Sequence, residues 1–142
     1  MRLKDILAHK GGATITVPAK ASVAEAIRTM AEKRVGAVLI TDAGDCPVGI
    51  FTERDVLRLY AGGDRDFEHI TVESRMTCSV VVGNPETSVD EALALMTERR
   101  FRHLPVLHDG ELLGIVSIGD LVKARLEETT AEAQSLRQYI LS

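Results

Sequence analysis

The chain carries one segment twice, and this duplication constrains its fold more than any other feature of the sequence. A shift of 66 residues places residues 22–41 on residues 88–107, and seven of these 20 positions are identical. The identical pairs are Ser22/Ser88, Val23/Val89, Glu25/Glu91, Ala26/Ala92, Met30/Met96, Glu32/Glu98 and Arg34/Arg100. After one deleted residue, residues 49–55 align with residues 114–120, and three of the seven positions are identical. Because both matches keep their order, each copy is predicted to fold as one unit of the same architecture.

Each copy is predicted to fold in the order strand, helix, strand, strand, helix. In the first copy the strands are 15–17, 37–40 and 48–51, and the helices begin at Ser22 and Thr52. In the second copy the strands are 80–82, 104–107 and 112–116, and the helices begin at Ser88 and Ser117. The apolar residues recur at helical spacing in the helices, and Asp and Gly residues mark the turns between the paired strands.

A single copy of about 60 residues buries little apolar surface by itself. The two copies are therefore expected to pack together around a pseudo-twofold axis. The predicted fold class is α/β, with two tandem βαββα modules and a long C-terminal helix. The predicted boundaries are 1–66 for the first module, 67–125 for the second and 126–142 for a helical extension.

The composition is that of a globular protein, with 45% hydrophobic and 27% charged residues. A formal net charge of −4 gives no basic footprint for nucleic acid. The longest apolar run is too short to span a bilayer, and no secretory signal is visible, so we expect a cytoplasmic protein. Cys46 and Cys78 form no CxxC motif, and the histidines lack zinc spacing, so no metal is predicted.

The last helix is predicted to run from about residue 118 to residue 141 and to carry a heptad stripe. The stripe has spacings of 4, 3, 4, 3 and 4 and consists of Val122, Leu126, Thr129, Ala133, Leu136 and Ile140. One interpretation is that the stripe covers its own domain. The alternative is a contact between helices in a homodimer.

Four motifs place an acid three residues after a Ser or Thr, at equivalent positions of the two copies. The motifs begin at Ser22, Thr52, Ser88 and Ser117. In the two Glu motifs we expect a capping box. In the two Asp motifs the shorter side chain is expected to reach the cap amide less well, and a strand leads directly into the helix. A helix N-terminus in that position can bind a phosphate, and a carboxylate there can accept ribose hydroxyls. Gly49 and Gly114 would permit close backbone approach.

Basic residues beside these motifs differ between the copies. Arg54 could bind a phosphate through its guanidinium or lie in solvent, and its counterpart is Gly119. Arg102 and His103 are neighbours on a strand, so only one of them is expected to face a ligand. The counterpart of His103 is Ala37. The two sites are therefore predicted to be inequivalent, and the Asp55 site is expected to hold a phosphorylated ligand better if Arg54 turns inward.

The sequence resembles the cystathionine-β-synthase (CBS) domain pair over residues 3–125. The resemblance rests on residues 49–55, Gly-Ile-Phe-Thr-Glu-Arg-Asp, and on residues 114–120, Gly-Ile-Val-Ser-Ile-Gly-Asp. Residues 35–40 and 101–106 resemble the central strands of the family, and Met76-Thr77 resembles the opening of a module.

This resemblance implies a regulatory protein and not an enzyme, with two ligand sites in a cleft and a homodimeric assembly. It implies an adenine nucleotide such as AMP or ATP, or NADH, as the ligand. Asp55 and Asp120 would hold the ribose hydroxyls, and Thr52 and Ser117 would touch the ribose or first phosphate. The adenine pockets would be lined by Thr16, Val17, Ala37, Val38, Val81, Val82, His103 and Leu104. Arg102 and His103 would lie near the phosphates.

The expected mechanism is a population shift that changes the fit to an unidentified partner protein. No contact with nucleic acid and no membrane insertion are expected. The alternatives are a structural interaction module without ligand and a sensor of S-adenosylmethionine.

Overall fold

The computed structural model describes residues 1–10, 14–78 and 81–141, which form two compact units. One unit contains residues 14–78, and the other combines residues 1–10 with residues 81–141. The helices are α1 (Leu3–Lys10), α2 (Val23–Lys33), α3 (Glu53–Ala61), α4 (Val89–Arg99) and α5 (Ile118–Leu141). The strands are β1 (Thr16–Pro18), β2 (Ala37–Thr41), β3 (Pro47–Thr52), β4 (His103–His108) and β5 (Glu111–Ser117). None of the described helices is long and apolar enough to cross a membrane.

The unit of residues 14–78 contains a three-stranded sheet in the order β1-β2-β3. β1 runs parallel to β2, and β2 pairs antiparallel with β3. Alternate side chains of this sheet share a core with α2 and α3, because neighbouring residues of a strand point to opposite faces. The core residues include Val17, Met30, Val38, Ile40, Phe51 and Leu59. The predicted order of strands and helices in the first copy is confirmed.

The unit that contains the second copy has a hairpin of β4 and β5. The hairpin turns at Asp109 and Gly110, whose φ angles of 50° and 76° lie in the left-handed region that two-residue hairpin loops favour. Its core joins the hairpin to α1, α4 and α5. The core residues include Leu3, Met96, Leu104, Val106, Val116 and Leu121.

The predicted strand at residues 80–82 is wrong in its described part. Val80 lies outside the described residues, and Val81 and Val82 belong to no strand. A single parallel bridge joins Gly83 to Val106 instead. The Gly83 N–H donates to the carbonyl of Pro105 at 2.8 Å, and the Leu107 N–H donates to the carbonyl of Gly83 at 3.0 Å.

Comparison of the two copies explains why the second copy lacks this strand in its described part. The shift of 66 residues places Val17, a core residue of β1, on Gly83, which has no side chain to pack. A Cβ on Gly83 would lie 2.8 Å from Leu3 Cδ1 and 3.0 Å from Leu104 Cδ2. The side chain of Leu3 therefore takes the space that a valine occupies in the first copy.

Helix α1 has no counterpart among the predicted elements. Leu3 is fully buried and Ile6 is 6% exposed, and both belong to the core of the second copy. The Leu3 N–H donates to the carbonyl of Thr87 at 2.9 Å. Residues 1–10 therefore pack with the second copy although they precede the first copy in the sequence. The predicted module boundary after residue 66 stays a prediction.

Helix α5 contacts its own unit through Leu121 and Ala124, which are buried. The heptad stripe lies on other faces of the helix: Val122, Leu126, Leu136 and Ile140 are 46%, 63%, 60% and 71% exposed. The interpretation that the stripe covers its own domain is therefore wrong.

Candidate functional site

The first candidate site is the turn from β3 into α3. The Thr52 N–H donates to Asp55 Oδ2 at 2.9 Å, and the Asp55 N–H donates to Thr52 Oγ1 at 3.4 Å. The Thr52 hydroxyl also lies 3.3 Å from Asp55 Oδ2. Asp55 is only 7% exposed. These bonds form a reciprocal cap that holds the hydroxyl and the carboxylate side by side at the start of the helix.

The second candidate site is the turn from β5 into α5, and it repeats the same cap. The Ser117 N–H donates to Asp120 Oδ2 at 2.8 Å, and the Asp120 N–H donates to Ser117 Oγ at 3.1 Å. A cation is added here, because Lys10 Nζ donates to Asp120 Oδ2 at 2.9 Å and to the carbonyl of Ile115 at 2.9 Å. The side chains of Lys10 and Asp120 are 42% and 27% exposed.

The surroundings of Asp120 change its pKa in opposing ways. Partial burial raises the pKa, because it penalises the charged carboxylate. Hydrogen bonds from the Ser117 backbone and from the Lys10 ammonium stabilise the charged form and outweigh burial, so the pKa of Asp120 is lowered. The carboxylate is therefore held in its charged form at the start of α5.

The expectation that the glutamates complete capping boxes and the aspartates reach back less well is wrong. In α2 and α4, the described caps consist of Ser22 Oγ and Ser88 Oγ, which accept from the backbone N–H groups of Glu25 and Glu91. The carboxylates of both glutamates lie on exposed residues. The shorter aspartate side chains instead keep their carboxylates beside the cap amide.

In the first copy, the predicted site residues divide between the two faces of the sheet. Ala37 lies directly opposite Thr52, and Thr16 pairs with a residue two positions after Ala37, so these three share one face. Val17 and Val38 are 2% and 0% exposed and belong to the core on the other face. Thr16, Ala37 and Thr52 therefore lie on one face of the sheet, and Val17 and Val38 lie on the other.

The second copy repeats this division. His103 lies directly opposite Ser117, whereas Leu104 is fully buried in the core. Arg102 is exposed, and its carbonyl accepts from the first N–H of α5 at 2.8 Å. Val81 packs against the core, and Val82 is 48% exposed.

The residue that corresponds to Lys10 differs between the copies. The shift of 66 residues places Lys10 on Met76. A Cβ on Gly49 would lie 2.6 Å from Met76 Sδ and 2.9 Å from the carbonyl oxygen of Thr77. The close approach at Gly49 is therefore made by the chain's own residues, which corrects the expectation that this glycine leaves room for a ligand. Arg54 is exposed in the first turn of α3.

Sequence reasoning missed Lys10 as a residue of the second site. Its position in front of the first copy suggested no role at the end of the second. The signal was present, because extending the 66-residue shift upstream aligns Lys10 with Met76, which had been assigned to a module opening.

Asp120 also borders a cavity of about 440 Å³ between α1 and α5. Its polar lining includes His9, Lys10, Lys123 and Glu127. Together with Asp120, the lining therefore carries two carboxylates beside two lysines and a histidine, which is a mixed set of charges. Within residues 1–10, 14–78 and 81–141, no cluster of His, Cys, Asp and Glu side chains could hold a metal ion.

Comparison with known proteins identifies the same two repeated segments in this chain. The family model described as CBS domain matches residues 4–62 and 69–127. A mitochondrial CBS domain-containing protein of Arabidopsis thaliana is 35% identical, over 97% of this chain and 71% of its own length. A crystal structure of a CBS-domain protein from Agrobacterium tumefaciens is 42% identical with a TM-score of 0.83, over 87% of this chain and 92% of that chain.

Two similar solved structures contain adenine ligands. A CBS domain protein from Pyrobaculum aerophilum was solved with AMP; it is 26% identical, with a TM-score of 0.76 over 84% of this chain and 89% of that chain. Another CBS domain pair was solved with 5′-methylthioadenosine and S-adenosylmethionine; it is 25% identical, with a TM-score of 0.79 over 90% of this chain and 98% of that chain.

Proposed function

The chain belongs to the CBS-domain family, and we propose that it is a regulatory module that binds an adenine nucleotide and thereby changes its fit to a partner protein. The observation that carries this proposal is the duplicated turn, in which a hydroxyl and an aspartate carboxylate stand together at a helix N-terminus. The adenine ligands of the two similar structures support it. We propose AMP, ATP or NADH as the ligand.

The caps leave the aspartates able to bind a ribose. The bonds of the caps use Oδ2 of Asp55 and of Asp120. A carboxylate offers about four lone-pair positions, so each can also accept from the two hydroxyls of a ribose. The N–H groups and dipole of each helix N-terminus then favour the phosphate, beside the hydroxyl of Thr52 or Ser117. The ribose and the phosphate are thus bound by groups whose positions the caps already fix.

The two turns are proposed to bind with different strengths. At Asp120 a ribose must share the carboxylate with the Lys10 ammonium or displace it. In the first copy the residue that corresponds to Lys10 is Met76, which carries no charge, and Arg54 lies in the same helical turn as Asp55. We therefore assign the tighter site to Asp55.

The proposed role is regulatory and not catalytic, in line with the general role of CBS modules. We propose that the module acts in the cytoplasm, on a partner protein that is not identified. S-adenosylmethionine is the second candidate ligand, because a similar pair binds it. It carries ribose and adenine without phosphate, so its binding would use the aspartates and not the basic residues.

A thermal-unfolding scan of the full chain with AMP, ATP, NADH and S-adenosylmethionine tests the proposal. A ligand at about 100 times its dissociation constant stabilises the folded protein by about 2.7 kcal/mol. For a chain of this size that corresponds to about 5–10 °C. A shift with a phosphorylated ligand supports the nucleotide sensor, and a shift with S-adenosylmethionine alone supports the second candidate. The absence of any shift contradicts both and favours an interaction module without ligand.

The matched variants are Asp55→Asn and Asp120→Asn. Asparagine keeps an oxygen that can accept from the cap N–H but removes the charge, so the helix cap is preserved. A shift that survives unchanged in both variants would place the ligand away from the two turns.

A further inference from the structure

The second half of α5 carries an apolar stripe with nothing packed on it in the described chain. Residues 129–141 are exposed throughout, and Leu136 and Ile140 are 60% and 71% exposed. The buried residues Leu121 and Ala124 occupy the c and f positions of the heptad in which the stripe forms a and d. The helix therefore docks on its own unit through one face and presents the heptad stripe on the opposite face.

The sizes of the stripe residues fit a pair of helices. The a positions are Leu126, Ala133 and Ile140, and the d positions are Val122, Thr129 and Leu136. Large residues at both ends flank Thr129 and Ala133 in the middle, so two such helices can approach closely there. The last heptad combines Ile140 at a with Leu136 at d, which favours two-stranded coiled coils.

The charges beside the stripe choose an orientation. Glu132 occupies a g position and Arg137 occupies the e position five residues later, which are partners across a parallel pair of helices. An antiparallel pair would place Glu132 against its own copy and Lys123 near Arg137, and like charges oppose such a pairing. Glu132 and Arg137 are both exposed. The charge pattern is therefore complementary to a second, parallel copy of the same helix.

We propose that the heptad stripe of α5 is the docking surface for a second copy of this chain, through a parallel two-stranded coiled coil centred on residues 122–140. The occupant is the same stripe of the second copy, and two Glu132–Arg137 ion pairs flank it. This inference concerns assembly and stands independently of the ligand proposed above.

Disulfide crosslinking tests the register directly. Cys46 and Cys78 are exposed and free, so the measurement starts from the Cys46→Ser/Cys78→Ser protein. Ala133→Cys, at an a position, should then form a crosslinked dimer as the main species under mild oxidation. Ala131→Cys, at an outward f position of the same helix, is the matched control and should stay largely uncrosslinked. Equal crosslinking of the two variants, or none in either, would overturn the proposal.

Light scattering after size exclusion tests the apolar stripe. The double variant Leu136→Glu/Ile140→Glu should halve the mass of the particle, whereas Gln138→Glu, between them on the outer face, should leave it unchanged. The far-ultraviolet circular dichroism of both proteins checks that α5 remains helical. A wild-type monomer, or an unchanged mass in the double variant, contradicts the proposal.

The charge pair tests the orientation. Glu132→Arg and Arg137→Glu each place like charges together in a parallel dimer, so each should weaken association at least about threefold. The double variant restores opposite charges and should recover the wild-type affinity. A double variant that associates no better than the single ones would overturn the parallel arrangement.

Discussion

The two strand-to-helix turns have the same local hydrogen bonds and differ in the residue that corresponds to Lys10. Each turn has a hydroxyl cap and an aspartate that accepts from the cap N–H, at 2.9 Å for Asp55 and 2.8 Å for Asp120. Met76 lies against Gly49 of β3 in the first copy, and the Lys10 ammonium binds the carboxylate of the second turn. The shared Ser/Thr-x-x-Asp spacing thus gives both turns the same cap. Lys10, which is distant in sequence from Asp120, makes the two sites unequal.

A second difference concerns the core beneath the turns. The first copy places Val17 of β1 against its sheet, and the second places Leu3 of α1 against Gly83. The same volume is filled in one copy by a strand of the repeat and in the other by a helix outside it. The second copy thereby depends for its packing on residues 1–10, which also deliver Lys10 to Asp120.

The largest expected effect on the free energy of unfolding comes from truncating Leu3, which packs in the core of the second copy. Leu3 is fully buried, so Leu3→Ala should lower the free energy of unfolding by about 2–5 kcal/mol through lost burial and a cavity. Urea denaturation measures the loss. Leu57→Ala, at a leucine that is 70% exposed, is the control and should change it by less than about 0.5 kcal/mol. Equal small effects would show that α1 does not support the second copy.

The second largest effect on the free energy of unfolding is expected at Gly49, where the backbone of Thr77 approaches β3 closely. A methyl group on Gly49 would lie 2.9 Å from the backbone carbonyl oxygen of Thr77, which cannot move as a side chain can. Gly49→Ala should therefore lower the free energy of unfolding by about 1–3 kcal/mol. At Gly44 the nearest atom would be a side-chain oxygen at 3.4 Å, so Gly44→Ala should be nearly neutral. A neutral Gly49→Ala would show that residues 76–77 do not lie against β3.

The smallest effect on stability concerns the ion pair of the second turn. The pKa of Asp120 is lowered in the folded chain, so its contribution is present above the unfolded pKa and is lost as pH falls through the folded value. Lys10→Met removes a cause of this shift and copies the residue of the first turn. Between about pH 5 and pH 2, the variant should lose less free energy of unfolding than the wild type.

The difference should stay below about 1 kcal/mol, because both side chains are partly exposed and the interaction is screened by solvent. Urea denaturation at several pH values measures it. Lys33→Met, at an exposed lysine in the last turn of α2, is the control and should show the same pH dependence of unfolding free energy as the wild type. Parallel profiles for wild type and Lys10→Met would contradict the role of Lys10.

The local patterns of the sequence predicted most of the fold, and the long-range contacts were beyond them. The caps at Ser22 and Ser88 and the hairpin turn at Asp109-Gly110 depend on neighbouring residues, and all three are confirmed. The failed strand at 80–82 and the missed role of Lys10 both depend on α1. Its packing joins residues more than 80 positions apart, and no periodicity within a repeat records that contact.

The sequence also predicted only part of the candidate site. Asp55 and Asp120 were singled out because their motifs recur, and each lies at the start of its helix. Val17, Val38 and Leu104 were chosen as adenine contacts from the resemblance, although strand alternation directs them into the core. Applying that alternation to the predicted strands would have separated them from Ala37 and His103.

Calorimetric titration of AMP into the wild type, Asp55→Asn and Asp120→Asn tests the central claim that the two turns are unequal adenine-nucleotide sites. Loss of a charged hydrogen-bond acceptor removes about 1.5–3 kcal/mol, which corresponds to about tenfold or more in affinity. We predict that Asp55→Asn weakens the tighter binding phase by about this factor and that Asp120→Asn affects only the weaker one. Unchanged affinity in both variants, or an equal loss in both, would contradict the claim.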